Sequence, residues 1–525
     1  MSEGIFAAAN RSLIAAFMDG AARFHDTELV VTSAIRGGTR RLDDVMAEGL
    51  RFASGLRARG IGPGDIVGVQ LPAWSEWMAA CIGIAHAGAV MLPIVSIYGA
   101  KEMGFILRQS GAKLLVTPDR WRSADYAAVL AECGDLPALH THVVIGAAPA
   151  SAVSWAEMTA RDDGAAPAQR DPDDLAMLVY TSGTTADPKG VCHSSRTLLS
   201  ELIAVQEARL GIKEVVLSPW PPGHVAGACT MMRFIVQGIK LVLMDQWDAG
   251  AAAMLIERER VSAGSFTPFH LTGILDAADR DGRDLSSFVS VLVGAAPVPP
   301  TLIERCAARG LNTFRCYGSS EHPTVTTGFP SDAIDKRLTT EGRLMTGTEM
   351  RFVDDDGNEV APGVDGEMVT RGPDLFTGYL DSSLNAAAML PGGWFRTGDI
   401  GHFDADGYLV ISDRKKDVII RGGENISSRE VEDILLADPM IADAACVAYP
   451  DERMGEIVCA YIVARPGAAV TLESVRAYFT TTGVARQKTP ERVVCVTELP
   501  RNSTGKILKH ELRARARAEA KDKAA

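Results

Sequence analysis

Apolar residues recur at helical spacing over 42–56, a Gly- and Pro-rich turn fills 57–65, and Ile66-Val67-Gly68-Val69-Gln70-Leu71 reads as a buried strand. Helix, turn and strand repeat over 103–118, and the run Leu175-Ala176-Met177-Leu178-Val179-Tyr180 predicts another buried strand. A helix over 196–210, a strand over 214–218 and strands ending at Val293 and Tyr317 follow. This alternation predicts a mostly parallel sheet covered by helices. Over 343–379 the apolar runs shorten and alternate around the turns 354–357 and 362–366, which predicts a small β-rich subdomain. Strands at 408–412 and 418–420 flank the charged run Asp413-Arg414-Lys415-Lys416-Asp417, whose usual meaning is a solvated edge. Beyond it, helices at 428–437 and 472–479 with strands at 444–448, 457–463 and 492–496 predict an α+β unit of about 110 residues. The expected architecture is α/β, with a large N-terminal domain over 1–412, a hinge over 413–417 and a small mobile C-terminal domain over 418–525.

Length supports the division, because 525 residues exceed one hydrophobic core. A net charge of −13 argues against a nucleic-acid surface, so anionic substrates must meet local positive charge. Nine cysteines without a CxxC pair read as reduced thiols of a cytoplasmic protein, with no zinc site. Met1-Ser2-Glu3-Gly4 opens no basic leader, so no secretion signal is expected. The uncharged stretch 77–100 nears membrane-span length, but Gly83, His86, Gly88 and Pro93 favour a buried helix running into a strand. Arg513, Arg515, Arg517, Lys521 and Lys523 read as a solvated, fraying helix.

The strand ending at Tyr180 empties into Thr181-Ser182-Gly183-Thr184-Thr185-Ala186-Asp187-Pro188-Lys189-Gly190. Gly183 and Gly190 free the backbone to turn N–H groups toward an anion, and four hydroxyls with the Lys189 ammonium add donors. A polyphosphate is the natural guest. The spacing differs from the nucleotide P-loop, which needs Ser or Thr after its Lys where this chain has Gly190. Further strand-end loops, Gly294-Ala295-Ala296 and Tyr317-Gly318-Ser319-Ser320-Glu321, stand where parallel sheets place ligands.

These segments resemble the signatures of the adenylate-forming superfamily, which includes acyl-CoA synthetases, firefly luciferase and the adenylation domains of peptide synthetases. The matches run in family order at Tyr180, Tyr317, Asp399, Arg414 and Lys506 and span nearly the whole chain. Ser320 stands where Thr is usual, and Asp413 where Gly often precedes the Arg. The resemblance implies that Thr181, Ser182, Gly183, Thr184, Thr185 and Lys189 hold the phosphates of ATP, and that Gly294, Ala295, Ala296, Tyr317, Gly318, Ser319 and Ser320 receive adenine and the nucleotide phosphate. It implies that Thr181 and Glu321 hold Mg2+, that Asp399 and Arg414 bind ribose, and that Lys416 absorbs a domain rotation. Gly422, Gly423 and Glu424 would border the coenzyme A tunnel, His224, Val225, Ala226, Gly227 and Met231 the acyl pocket, and Lys506 would be the adenylation lysine.

The implied activity is an acid–CoA ligase acting through acyl-AMP on an apolar acid of the medium- or long-chain fatty, alicyclic or steroid side-chain type. An acyl-AMP ligase that loads a carrier protein shares the first half-reaction. A non-catalytic sensor would be expected to lack Lys506, Glu321 or Asp399, and nothing indicates the oxidative step of a luciferase. Acetylation of Lys506 by a lysine acetyltransferase would remove its charge. A homo-oligomer is left open.

Overall fold

The computed structural model describes residues 2–181, 188–209, 214–294, 298–482, 484–502 and 505–524. Two sheets organise the large domain. In the eight-stranded one, Leu114–Pro118, Ile66–Val69, Val90–Pro93 and Leu175–Tyr180 are parallel neighbours, and Gly190–Ser194 is added antiparallel to the last. The nine-stranded one has a parallel centre running from Thr313–Tyr317 through Ser290–Val293, Ala263–Phe266, Val215–Ser218 and Lys240–Met244 to Glu28–Thr32. Both sheets present near-continuous apolar strands because helices cover their faces. The helix Ser75–Ala87 is buried on nearly every side and runs into Val90–Pro93, as its Ala- and Gly-rich sequence predicts. No described helix is long and apolar enough to cross a membrane.

The β-rich sheet is built on Gly366–Arg371, with Glu349–Val353 on one side and the ten-residue strand Trp394–Phe403 on the other. Leu409–Arg414 pairs antiparallel with that long strand and sets Arg414 opposite Asp399. Asp399 thus lies inside a strand, where Thr397-Gly398-Asp399 alone would equally suit a turn. The charged run 413–417 is solvated only in part: Lys415 and Lys416 are exposed, whereas Asp413 is buried and Asp417 pairs with Arg513.

In the small α+β domain, Gly455–Ala464 lies between Ile441–Asp451 and Arg492–Cys495, with the hairpin Ile419–Arg421/Glu424–Ile426 at the edge. Period-two alternation gives this sheet two apolar faces. Ala444, Cys446, Val458, Ala460 and Ile462 pack with the helices Ser428–Leu436 and Leu472–Thr482. Ala445, Val447, Cys459 and Tyr461 pack with Leu512 and Ala516 of the helix Lys509–Ala524. The expectation of a solvated, fraying terminal helix is therefore corrected. Leu512, Ala516 and Ala520 form a narrow stripe at i, i+4 and i+8 that the surrounding charges obscure in the sequence.

Leu512 is fully buried in that second core. Leu512→Ala should destabilise the protein by about 2–5 kcal/mol, the usual cost of a buried Leu deletion. A denaturant titration reports it, and a change below about 0.5 kcal/mol would return the helix to the surface class.

Candidate active site

The antiparallel register that faces Arg414 with Asp399 creates the centre of the site. Asp399 is 4% exposed; its Oδ1 lies 2.7 Å from Arg414 Nε, and its Oδ2 accepts the Tyr317 hydroxyl at 2.7 Å. Burial, reinforced by the adjacent Asp399 charge, holds the Tyr317 hydroxyl well above its ordinary pKa. Asp399 in turn pushes Arg414 up. Tyr317 also packs with Val325, Met350, Met368 and Leu409, so its ring is seated in the β-rich sheet's apolar cluster.

Lys506 arrives from the small domain. It sits on a tight turn closed by the Asn502 N–H to the Lys506 carbonyl at 2.9 Å and by the Lys506 N–H to Asn502 Oδ1 at 2.9 Å. Gly505, at φ +82°, touches the large domain: a Cβ there would lie 3.4 Å from Thr267 Oγ1 and 3.7 Å from Phe269 Cβ. Thr267 caps the helix Pro268–Asp281, so the lysine turn rests on a helix N-terminus. The Arg414 guanidinium, with burial second, depresses the Lys506 ammonium to about 7, while Asp399 opposes the shift. The structure therefore brings Lys506, Arg414, Asp399 and Tyr317 together from two domains.

A second group forms around the phosphate loop. Thr181 and Lys189 clamp its ends, with the Thr181 N–H donating to the Lys189 carbonyl at 3.0 Å and the Lys189 N–H to Thr181 Oγ1 at 3.2 Å. Ser182, Gly183, Thr184 and Thr185 lie outside the described residues, as do Ala295 and Ala296. Gly190 is not in the left-handed region that the loop reading invoked. It is a strand residue that stays small because a Cβ would meet Leu178, Tyr180 and Leu380 at 3.1–3.2 Å. Lys189 Nζ stands 4.9 Å from the centre of the Tyr379 ring, and the Tyr379 hydroxyl donates to Glu321 Oε1 at 2.7 Å. Tyr379 thereby joins the phosphate loop to Glu321.

The Ser319–Glu321 segment is fixed from below. His193, which follows the phosphate loop on Gly190–Ser194, is fully buried and bonds the Ser320 carbonyl through Nε2 at 2.8 Å. Burial lowers its pKa to about 4, so the ring is neutral and Nε2–H is the donor. Gly318 has no room for a side chain, since a Cβ would lie 1.9 Å from the Pro323 carbonyl oxygen. Gly294 is less confined: a Cβ there would lie 3.1 Å from Cys316 Sγ. The Phe376 N–H holds the Glu321 carbonyl at 2.8 Å.

On the acyl side, His224 precedes the helix Val225–Gln237, and burial lowers its pKa to about 4. Val225 and Met231 are buried in the main core, whereas Ala226 is exposed. Gly227 marks a close backbone approach rather than spare volume, because a Cβ would lie 2.3 Å from the Pro221 carbonyl oxygen. Trp220, Trp247 and Phe269 surround His270 at centroid distances of 4.4–6.2 Å, next to the Lys506 turn. Gly422 and Gly423, at φ +59° and +90°, make the two-residue turn of the hairpin that ends at Glu424.

Sequence reasoning missed Tyr379, His193, Asp413 and this aromatic cluster. Asp413 accepts the Arg414 and Ser428 N–H groups at 2.6 Å each, so the departure at this position supplies an anchor. The only available signal was an acid where a Gly had been expected.

The chain belongs to the AMP-binding enzyme family: the family model for the AMP-binding enzyme matches residues 19–380, and that for the AMP-binding enzyme C-terminal domain matches 430–506. Within this adenylate-forming superfamily it is of the acyl-CoA synthetase type, an acid–CoA ligase. It is 35% identical over 472 residues to the medium-chain fatty-acid–CoA ligase of Escherichia coli K12, covering 88% of this chain and 83% of that protein. It is 33% identical over 489 residues to the indoleacetate–CoA ligase of Aromatoleum aromaticum, covering 92% and 94%. Among solved structures, the anthranilate CoA ligase AuaEII in complex with anthranoyl-AMP superposes with a TM-score of 0.86 at 25% identity, covering 97% of this chain and 98% of that one.

The Lys506 shift has a measurable sign. Unfolding returns this amine to its ordinary value near 10.5, so between about 7 and that value the folded chain binds fewer protons and the group makes stability rise with pH. An anion bound beside Lys506 restores the proton. Calorimetric titration with ATP at pH 8, in buffers of differing ionisation enthalpy, should show uptake of up to one proton that Lys506→Met removes. Equal uptake in both proteins would place the titrating group elsewhere.

Proposed function

We propose that the protein activates an apolar carboxylic acid with ATP, forms acyl-AMP with loss of pyrophosphate, and passes the acyl group to coenzyme A with loss of AMP. What carries this reading is the convergence of Lys506 with Asp399 and Arg414, which sets a small-domain lysine beside a carboxylate and a guanidinium on facing strands. Asp399 and Arg414 bind the ribose hydroxyls. The phosphate loop with Lys189 holds the β- and γ-phosphates, and Lys506 acts at the α-phosphate. The substrate carboxylate attacks the α-phosphorus, the bond to the bridging oxygen breaks, and pyrophosphate leaves. A cation about 4 Å from developing negative charge, at an effective dielectric of about 20, contributes about 4 kcal/mol.

Glu321 and Thr181 present a carboxylate and a hydroxyl, hard oxygen donors of the kind that hold Mg2+ together with substrate phosphates. The ion, when bound, offsets phosphate charge. Tyr379 orients Glu321 through its hydroxyl. The small domain then turns about 413–417, with Lys416 taking up the torsion, so that Lys506 withdraws and Gly422, Gly423 and Glu424 border the arm of coenzyme A. The thiol attacks the acyl carbon and AMP leaves. His224, Ala226 and the aromatic residues by Gly505 line the acyl site, which supports an apolar acid of the fatty, alicyclic or steroid side-chain type. The reaction belongs to the cytoplasm.

Lys506→Ala should slow acyl-AMP formation about 10²–10³-fold and leave thioester formation from supplied acyl-AMP intact. Lys416→Pro should do the reverse, and equal losses in both half-reactions for both variants would defeat the two-state reading. The acid is found by measuring pyrophosphate release with octanoate, palmitate, cyclohexanecarboxylate and benzoate in the presence of coenzyme A. Acyl-AMP accumulating without thioester would favour transfer to a carrier protein.

A further inference from the structure

One buried ion cluster spans the two domains, beginning two residues before Tyr317 on the same strand. Arg315, on the strand Thr313–Tyr317, and Glu341 are 4% and 6% exposed. Arg315 binds both carboxylate oxygens of Glu341 and donates through Nη1 to the Leu338 carbonyl at 2.7 Å. The Glu341 backbone is tied to both neighbouring sheets, its N–H to the Leu409 carbonyl of the β-rich sheet at 2.7 Å and its carbonyl to the Thr326 hydroxyl of the nine-stranded sheet at 2.6 Å. From the small domain, Arg429 reaches the same Glu341 Oε1 at 2.9 Å.

The charges balance on each side of this contact. Arg315 and Glu341 neutralise one another within the large domain. Arg429 has Asp433 four residues on along its own helix, within electrostatic range. Removing one partner of a buried pair ordinarily strands a charge, which makes such pairs structural. Here separation strands none. The neighbouring contacts, Ser427 Oγ to the Ser412 carbonyl at 2.7 Å and the Ser428 N–H to Asp413, lie at the pivot itself. Arg429 instead reaches Glu341, a residue well upstream of the pivot.

We propose that Arg429 is a positioning residue for acyl-AMP formation, a releasable latch on Glu341 that holds the small domain where Lys506 meets Asp399 and Arg414. It rests on the domain-rotation reading above. When the domain turns about 413–417, Arg429 leaves Glu341 for Asp433 and water, and the Arg315–Glu341 pair stays closed behind it. Loss of the latch disfavours the adenylating arrangement and leaves the chemistry of the thioester arrangement untouched.

The test uses the full-length enzyme and the most active acid of the panel. Arg429→Met keeps the aliphatic stem and removes the charge. It should slow single-turnover acyl-AMP formation about tenfold, equivalent to about 1.4 kcal/mol, while thioester formation from supplied acyl-AMP holds or quickens. Arg429→Lys, which retains the charge, should recover part of the loss. An unchanged adenylation rate, or equal slowing of both half-reactions, overturns the latch. Lys506→Ala is measured in parallel. If it separates the two half-reactions and Arg429→Met does not, the latch alone fails; if Lys506→Ala also slows both equally, the rotation reading and the latch fall together.

Discussion

The site depends on one carboxylate. Asp399 accepts the Tyr317 hydroxyl, pairs with Arg414 across the strand ladder, and is also the anion that Lys506 meets. The Arg414 charge, together with burial, outweighs Asp399 and Asp417, which holds the Lys506 ammonium down at about 7. The imbalance is a local positive potential in a chain whose overall charge is −13. ATP and a carboxylate are both anions, and either one relieves it. Concentrating positive charge at one point of an acidic protein gives selectivity for these substrates without general affinity for polyanions.

The same strand pair leads from that electrostatic centre into the connection between the two domains. Arg414 is the last residue of the strand facing Asp399 and the second of the charged run that leads to the small domain. Asp413 holds the Arg414 N–H with one oxygen and the Ser428 N–H with the other, so one buried side chain touches both sides of the connection. Arg513, from the terminal helix, closes on Asp417 from the other side. The terminal helix is part of this arrangement because its apolar stripe fixes where Arg513 stands.

Contiguous patterns made much of this legible. The apolar run ending at Tyr180 is a strand with the bounds its residues suggest, and the hydroxyl- and glycine-rich loop follows it directly. The strand ends at Val293 and Tyr317 were readable for the same reason. What escaped depends on partners far apart in sequence. Tyr379 matters through Glu321, 58 positions away, and His193 through Ser320, 127 away. Neither belongs to a local pattern. The terminal helix escaped differently, since its stripe is one leucine and two alanines and the hydropathy there is dominated by charge. Gly227 carries a constraint no local pattern shows, because the Pro221 carbonyl stands where its Cβ would be.

Burial also sorts the acids around the Ser319–Glu321 segment. Glu201 is buried beneath it, takes the Thr324 hydroxyl at 2.6 Å, and is pushed up to about 8 by burial and by the negative charge of Asp374. His322 spans from Thr370 Oγ1 at 2.9 Å to Asp374 Oδ1 at 3.2 Å, and His193 is neutral. Glu201 is therefore held toward its neutral, protonated form, while Glu321 is half-buried beside Tyr379. An ionised Glu201 would set a second negative charge in the core beside Asp374. Burial thus separates two like groups: the deeper Glu201 is held toward its protonated form, while Glu321 meets the Tyr379 hydroxyl.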